Sequence, residues 1–302
     1  MIAALIVLLL LTLAGLFLDR LSRNAVHPRR FSYIKSYAVQ VEHGRLDERQ
    51  FLELEKEEMT FASPHGYRLR GTYFPLPAGQ PARGTLILVH GFSFTRAGMY
   101  KFIAMAQRLG FNALAYDHRN DWQSGGTYIT FGAQEKDDLR VACDWVSQRR
   151  PGERIGVMGE SLGAAVVLQF AANDARPAFL IADCPFADLY QQFALRLRAD
   201  YHLPVWPLLP ISLVWMRLRY GFDPRRVSPQ RDAAQIETPL LLIHGLADTY
   251  VPVQSSRAIA AAKTRGLCRL VEVPGAGHLG CYSQNPAQYE QAVQAFLQQA
   301  IG

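Results

Sequence analysis

Cysteine is scarce: four residues in 302, Cys143, Cys184, Cys268 and Cys281, and no two of them form a C-x-x-C pair. That spacing excludes a zinc knuckle and a disulfide framework. Cys143, Cys184 and Cys268 read as small buried hydrophobes. Cys281 stands near a loop of interest described below, which leaves a reactive thiol open as a second reading. Internal repeats and low-complexity tracts are absent, so solenoids and propellers are excluded. A basic cluster interleaved with aromatics is also missing. The formal charge of +6 comes mostly from scattered arginines, which reads as a solvated surface and implies no nucleic-acid partner.

Cofactor signatures are lacking as well. Gly275 to Gly280 matches G-x-G-x-x-G, but Pro274 precedes it and Tyr282-Ser283-Gln284-Asn285-Pro286 follows where a helix should begin. Too little chain remains for a βαβ unit with a ribose-binding acid. The carboxylates Glu53, Glu55, Glu57 and Glu58 have no accompanying histidine, so they read as a charged linker face and not as a metal site. No cofactor and no metal are expected.

The last absence is charge at the start. Met1 to Leu18 is almost unbroken apolar sequence with no charged side chain before Asp19. At 1.5 Å per residue it spans roughly 27 Å, close to the hydrocarbon thickness of a bilayer. A cleaved signal peptide is the rival reading, but it wants a basic n-region, a shorter apolar core and an A-x-A-like site. The expectation is a single-pass membrane anchor over 1–18, a juxtamembrane linker over 19–57 and a catalytic domain over 58–302. Arg20, Arg23, Arg29, Arg30 and Lys35 all follow the anchor, so the positive-inside rule places that domain in the cytoplasm.

What is present is ample apolar material, 49% of residues, enough for one doubly wound core. Glu58 to Ala62 and Tyr67 to Phe74 alternate around Pro64-His65-Gly66, predicting an antiparallel entry hairpin. Strand and helix then alternate, with helices expected near Ala97 to Leu109, Gln134 to Arg149, Ser161 to Asn173, Val253 to Lys263 and Pro286 to Ala300. That rhythm predicts an α/β fold with a mostly parallel central sheet and helices on both faces.

Gly159-Glu160-Ser161-Leu162-Gly163 follows the apolar run Arg154 to Met158 and places a serine on a sharp strand-to-helix turn. Such a turn holds a nucleophile, and its glycines avoid collisions with the neighbouring strand and helix. Two further apolar runs end in His244-Gly245-Leu246-Ala247-Asp248 and in Pro274-Gly275-Ala276-Gly277-His278. The order Ser161, Asp248, His278, each just past a strand's carboxyl end, suits a serine nucleophile, a carboxylate and a histidine base. Asp183 also follows a strand and is a second candidate for the acid. His90 and His244 read as structural hydrogen-bonders.

From about Glu58 onward the chain resembles the α/β-hydrolase family, and within it the membrane-anchored, small-capped serine hydrolases neighbouring the prolyl-oligopeptidase-like and dienelactone-hydrolase-like branches. The resemblance also rests on His90-Gly91-Phe92, Tyr116-Asp117-His118-Arg119 and Asp183-Cys184-Pro185-Phe186. It implies that the backbone amides of Phe92 and Leu162 form an oxyanion hole. The segment from His118 to Gly125 departs from relatives, which are usually richer in glycine there.

From Ala187 to about Pro229 the rhythm gives way to an aromatic, proline-punctuated insert, expected as a cap over 187–229. Its aromatics either pack the insert onto the domain or form an apolar lid over Ser161, with Trp206 and Trp215 as the lid residues. The sequence therefore predicts a serine hydrolase acting on carboxylic esters or thioesters, with small-molecule or lipid-like acyl substrates. A peptidase or amidase of the same fold and a non-catalytic membrane scaffold are the other readings.

Overall fold

The computed structural model describes all 302 residues. Eight strands build one sheet in the order β1-β2-β4-β3-β5-β6-β7-β8. They are β1 (Glu57–Ala62), β2 (Arg68–Phe74), β3 (Gly84–Val89), β4 (Phe111–Tyr116), β5 (Arg154–Glu160), β6 (Pro177–Asp183), β7 (Leu240–Gly245) and β8 (Cys268–Val273). The β1–β2 and β2–β4 pairings are antiparallel and all others parallel. Every residue of β3, β4 and β7 is buried, as expected for central strands covered on both faces, and this is why they read as continuous apolar runs.

Twelve α-helices surround the sheet: α1 (Ile2–Val26), α2 (Tyr33–Glu42), α3 (Glu48–Glu53), α4 (Ile103–Arg108), α5 (Glu135–Arg149), α6 (Leu162–Ala171), α7 (Leu189–Tyr201), α8 (Leu208–Tyr220), α9 (Pro229–Ala233), α10 (Gln254–Ala262), α11 (Cys281–Gln284) and α12 (Pro286–Ile301). Local chemistry sets their ends. Glu135, Asp137 and Asp138 crowd the first turn of α5, where the helix dipole favours negative charge. Asn285 caps α12, its side-chain oxygen accepting from the Gln288 amide at 3.0 Å, with Pro286 at the first helical position, where its missing N–H is no loss. Two apolar clusters form the core, one against each face of the sheet.

The expected strand–helix order holds, with one refinement: Arg96 to Phe102 is a 3-10 turn and only Ile103 to Arg108 is α-helical. The stretch 19–57 differs from the expected linker. The first helix continues through Val26, and α2 and α3 follow. Val26, Leu46 and Phe51 are buried in the two core clusters, so this stretch is packed onto the domain. The insert 187–229 contains α7 and α8.

Candidate active site

Three loops at the carboxyl ends of β5, β7 and β8 converge. Ser161 sits between β5 and α6 at φ 53°, ψ −113°, a strained conformation for a residue with a Cβ. The flanking glycines have a measurable reason: a Cβ on Gly163 would lie 2.1 Å from the Val89 carbonyl oxygen, and one on Gly159 would lie 2.4 Å from the Gly163 carbonyl. Both clashes are with backbone, which has nowhere to yield. The Ser161 amide is fixed by donating to the Asp183 carbonyl at 2.8 Å.

Ser161, Asp248 and His278 are brought into one hydrogen-bonded chain. Ser161 Oγ is 2.9 Å from His278 Nε2, and His278 Nδ1 is 2.7 Å from Asp248 Oδ2. The other carboxylate oxygen accepts from the amides of Tyr250 at 2.9 Å and Val251 at 2.8 Å. Burial on its own would raise the Asp248 pKa, but the histidines His244 and His278 and the Val251 amide outweigh it. They hold the carboxyl well below its ordinary range, because each stabilises the charged form. Phe92 follows Gly91 in the turn after β3, and its amide has no backbone acceptor. Leu162 opens α6, so its N–H is among those that a helix leaves unpaired at its N-terminus.

Asp183, the second candidate acid, is occupied elsewhere. Its Oδ2 accepts from the Tyr289 hydroxyl at 3.0 Å. Burial and the charge of Glu160 push its carboxyl up, against the pull of Lys101. Glu160 turns away from the cavity and pairs with the buried Lys101 at 2.8 Å. Cys184, Asp248 and His278 have donor atoms within 4.8 Å of one another. They make a poor metal site: Asp248 and His278 are already bonded to each other, and burial pushes the Cys184 thiol far above its ordinary value, so it stays protonated, whereas a metal needs thiolate.

Ser161 opens onto a cavity of about 190 Å³, lined mainly by apolar side chains. Phe92 and Phe131, both in its lining, stack with ring centroids 5.9 Å apart. Gln192, Arg196 and Asp200, one turn apart on α7, give it one polar flank. The cap does form a wall, but through Leu209, Leu213 and Met216. Trp206 and Trp215 do not line the cavity: Trp206 is 77% exposed, and Trp215 packs beside Gly15 of α1, where an added Cβ would meet the indole at 3.8 Å. The residues 118–125 stay out of it too; Arg119 is instead sandwiched between the rings of Tyr67 and Tyr128 at 5.1 and 5.0 Å.

Two contributions were missed by sequence reasoning. Tyr250 packs its ring on His278 at 4.9 Å, and no local pattern announces it. Leu21, Ser22 and Ala25 of α1 also line the cavity. Their signal was present: small and apolar residues at 21, 22, 25 and 26 make one helical stripe beyond the anchor's expected end.

A doubly wound sheet with a serine at the elbow after β5, and an acid and a histidine in later loops, defines an α/β-hydrolase. The sequence profile of the prolyl oligopeptidase family matches residues 117–302, and the chain belongs to that family. It is 38% identical over 250 residues to the uncharacterised protein YqkD of Bacillus subtilis, covering 82% of this chain and 81% of that one. It is 25% identical over 209 residues to the lysophosphatidylserine lipase ABHD12 of Danio rerio, covering 62% of this chain and 50% of that one. Among solved structures, the esterase Pf2001 of Pyrococcus furiosus superposes with a TM-score of 0.70 at 24% identity, over 85% of this chain and 95% of that one. The acylaminoacyl peptidase of Pyrococcus horikoshii superposes at 0.61 and 17% identity, over 83% of this chain and 43% of that one. At these identities the two structures speak for the fold.

Proposed function

We propose that the chain is a membrane-anchored serine hydrolase that cleaves carboxylic esters or thioesters through an acyl-enzyme. The observation that carries this reading is the hydrogen-bonded chain from Ser161 through His278 to Asp248, opening onto an apolar cavity. Ser161 Oγ attacks the acyl carbonyl as His278 Nε2 takes its proton, since an unassisted hydroxyl is too weak a nucleophile. Asp248 fixes the imidazole tautomer and stabilises the imidazolium. The amides of Phe92 and Leu162 stabilise the oxyanion, each worth about 3 kcal/mol in the transition state. His278 then protonates the leaving alcohol or thiol, and a water activated by the same imidazole releases the acid.

Esters are preferred over peptides because the cavity is walled by aliphatic and aromatic side chains. The likeness to a lysophosphatidylserine lipase points the same way. A peptidase is the second reading, favoured by the family profile. The apolar helix α1 acts as the anchor: its first part is exposed and has a mean hydropathy of 2.6, while Ser22 and Val26 are buried in the domain. Removal of α1 as a signal sequence would strip side chains from the cavity, which argues for its retention. From the charge bias after Leu18 we infer a cytoplasmic domain.

The test is covalent. A fluorophosphonate probe labels the wild type, and Ser161→Ala abolishes labelling along with turnover of p-nitrophenyl esters; a Ser161→Ala protein that still labels refutes the assignment. Acyl-ester, thioester and peptide substrates assayed side by side decide the substrate class.

A further inference from the structure

Building on the ester-hydrolase reading, we propose that the last turns of α1 and the outer face of α8 place the cavity mouth in the bilayer surface, so that the substrates are single-chain lipid esters drawn directly from the membrane.

Four observations carry this. The apolar part of α1 ends at Leu18, and its cavity-lining residues are Leu21, Ser22, Asn24 and Ala25. At 1.5 Å per residue they lie about 5–10 Å beyond that end along the helix, which is the depth of the headgroup layer flanking a roughly 30 Å hydrocarbon core. That is the level at which the ester carbonyl of a membrane lipid sits. Ser22, moreover, is 1% exposed and its hydroxyl has no protein partner. A buried, unpaired hydroxyl is costly, and here it faces a cavity where the polar end of a ligand can accept from it.

The third observation concerns α8. Its inward stripe, Leu209, Leu213 and Met216, lines the cavity, yet its outward stripe is apolar too. Ile211, Val214 and Leu218 are 49%, 46% and 79% exposed, and Trp206 stands just before the helix. A surface cluster of that kind marks an interaction face. Its occupant is set by its neighbour: Trp215 packs beside Gly15 and Arg219 pairs with Asp19 at 3.6 Å. The two contacts run in the same direction, so α8 leans along the end of the very stretch that crosses the membrane. An apolar face held there meets lipid. The fourth is charge. Arg20, Arg23, Arg217 and Arg219 are exposed on α1 and α8; Arg23 and Arg219 share Asp19 and Arg217 faces Asp223, so these six side chains keep an excess of positive charge, a complement to anionic headgroups.

The cavity is divided to match such a ligand. Leu21 and Ala25 of α1 with Leu209, Leu213 and Met216 of α8 offer aliphatic surface to one acyl chain, while Ser22 and Asn24 of α1 and Gln192, Arg196 and Asp200 of α7 offer polar groups to a headgroup.

The experiment uses the full chain reconstituted in phosphatidylcholine vesicles containing 1-palmitoylglycerol, with p-nitrophenyl acetate as the water-soluble control. The double variant Val214→Asp, Leu218→Asp changes exposed residues outside the cavity. It is expected to lose tenfold or more in kcat/KM on the vesicle substrate while retaining acetate hydrolysis, with an unchanged Tm. Ala25→Phe, which fills the cavity from α1, should lower the ratio of palmitoyl to acetyl hydrolysis by a similar factor. Equal vesicle rates for wild type and the double variant, or an unchanged ratio for Ala25→Phe, overturn the proposal. Failure of the wild type to label with fluorophosphonate is a separate result, and it removes the hydrolase reading underneath.

Discussion

Replacing Asp248 by Asn tests the arrangement at its most sensitive point. In the wild type one carboxylate oxygen holds the amides of Tyr250 and Val251 and the other accepts from His278 Nδ1. An asparagine keeps the first pair of bonds with its carbonyl, which leaves its amide nitrogen, a donor, facing His278 Nδ1. The imidazole responds by accepting there and carrying its proton on Nε2. Nε2 is the atom 2.9 Å from Ser161 Oγ, and a protonated Nε2 cannot take the serine's proton. The fold is little disturbed, because a buried charge is exchanged for a neutral group of the same shape. We therefore expect kcat on p-nitrophenyl esters to fall by about 10⁴, the scale of a wrong tautomer in a serine triad, which is about 5.4 kcal/mol at 1.36 kcal/mol per decade. Tm should move by no more than a few degrees. The assay is steady-state kinetics beside thermal melting. A kcat within tenfold of wild type, with the fold intact, refutes the role given to Asp248.

Asp183→Asn makes the contrasting case: Tyr289 is its partner, so esterase activity should survive within about tenfold. Since burial raises the Asp183 carboxyl above 3.8, the folded state binds its proton more tightly than the unfolded chain. That contribution is fully present below the ordinary value and is lost as pH rises through the folded one; the variant should show a flatter loss of stability above pH 4 in denaturant titrations, and an unchanged slope counts against it. Gly163→Ala drives a methyl to 2.1 Å from the Val89 carbonyl and should cost at least the 1–3 kcal/mol typical of overpacking, read as a lowered denaturation midpoint. Cys184 and Cys281, whose thiols burial pushes up, should resist iodoacetamide in the folded enzyme; rapid alkylation with loss of activity contradicts their inert role.

The parts of the site that were legible in the sequence are those in which sterics leave one solution. Gly159 and Gly163 meet backbone within 2.5 Å, so the elbow announces itself. Central strands such as Gly84–Val89 have no polar face, so they read plainly. The cap was harder, because α8 is apolar on both sides: Leu209, Leu213 and Met216 point inward and Ile211, Val214 and Leu218 outward. Periodicity cannot choose a face when both stripes qualify, and aromatic bulk pointed wrongly to Trp206 and Trp215. From the sequence the stretch 19–57 reads as a juxtamembrane linker. Leu46 and Phe51 seat its short helices on a core that already exists, a tertiary opportunity without a local signature at those two positions.

The histidines show how one fold separates structural rings from a reactive one. His27, His43, His65 and His202 are exposed. His90 donates from Nδ1 to the Gly91 carbonyl at 2.8 Å and accepts the His118 amide on Nε2 at 2.9 Å, while His118 Nε2 donates to the His90 carbonyl at 3.0 Å. Burial lowers both, so they stay neutral, and they lock the turn that presents Phe92. His244 lies 3.4 Å from Asp248 and is the nearest rival to His278. Its Nε2 proton, however, is committed to the Val251 carbonyl at 2.7 Å and its Nδ1 accepts from Ser256 at 2.7 Å. It braces the loop that holds Asp248 and has no nitrogen left for a substrate. A general base needs a carboxylate on one nitrogen and an exchangeable hydroxyl proton on the other. Among the eight rings, His278 alone meets both conditions, with a side chain 19% exposed beside the cavity, and the proposed chemistry rests on that asymmetry.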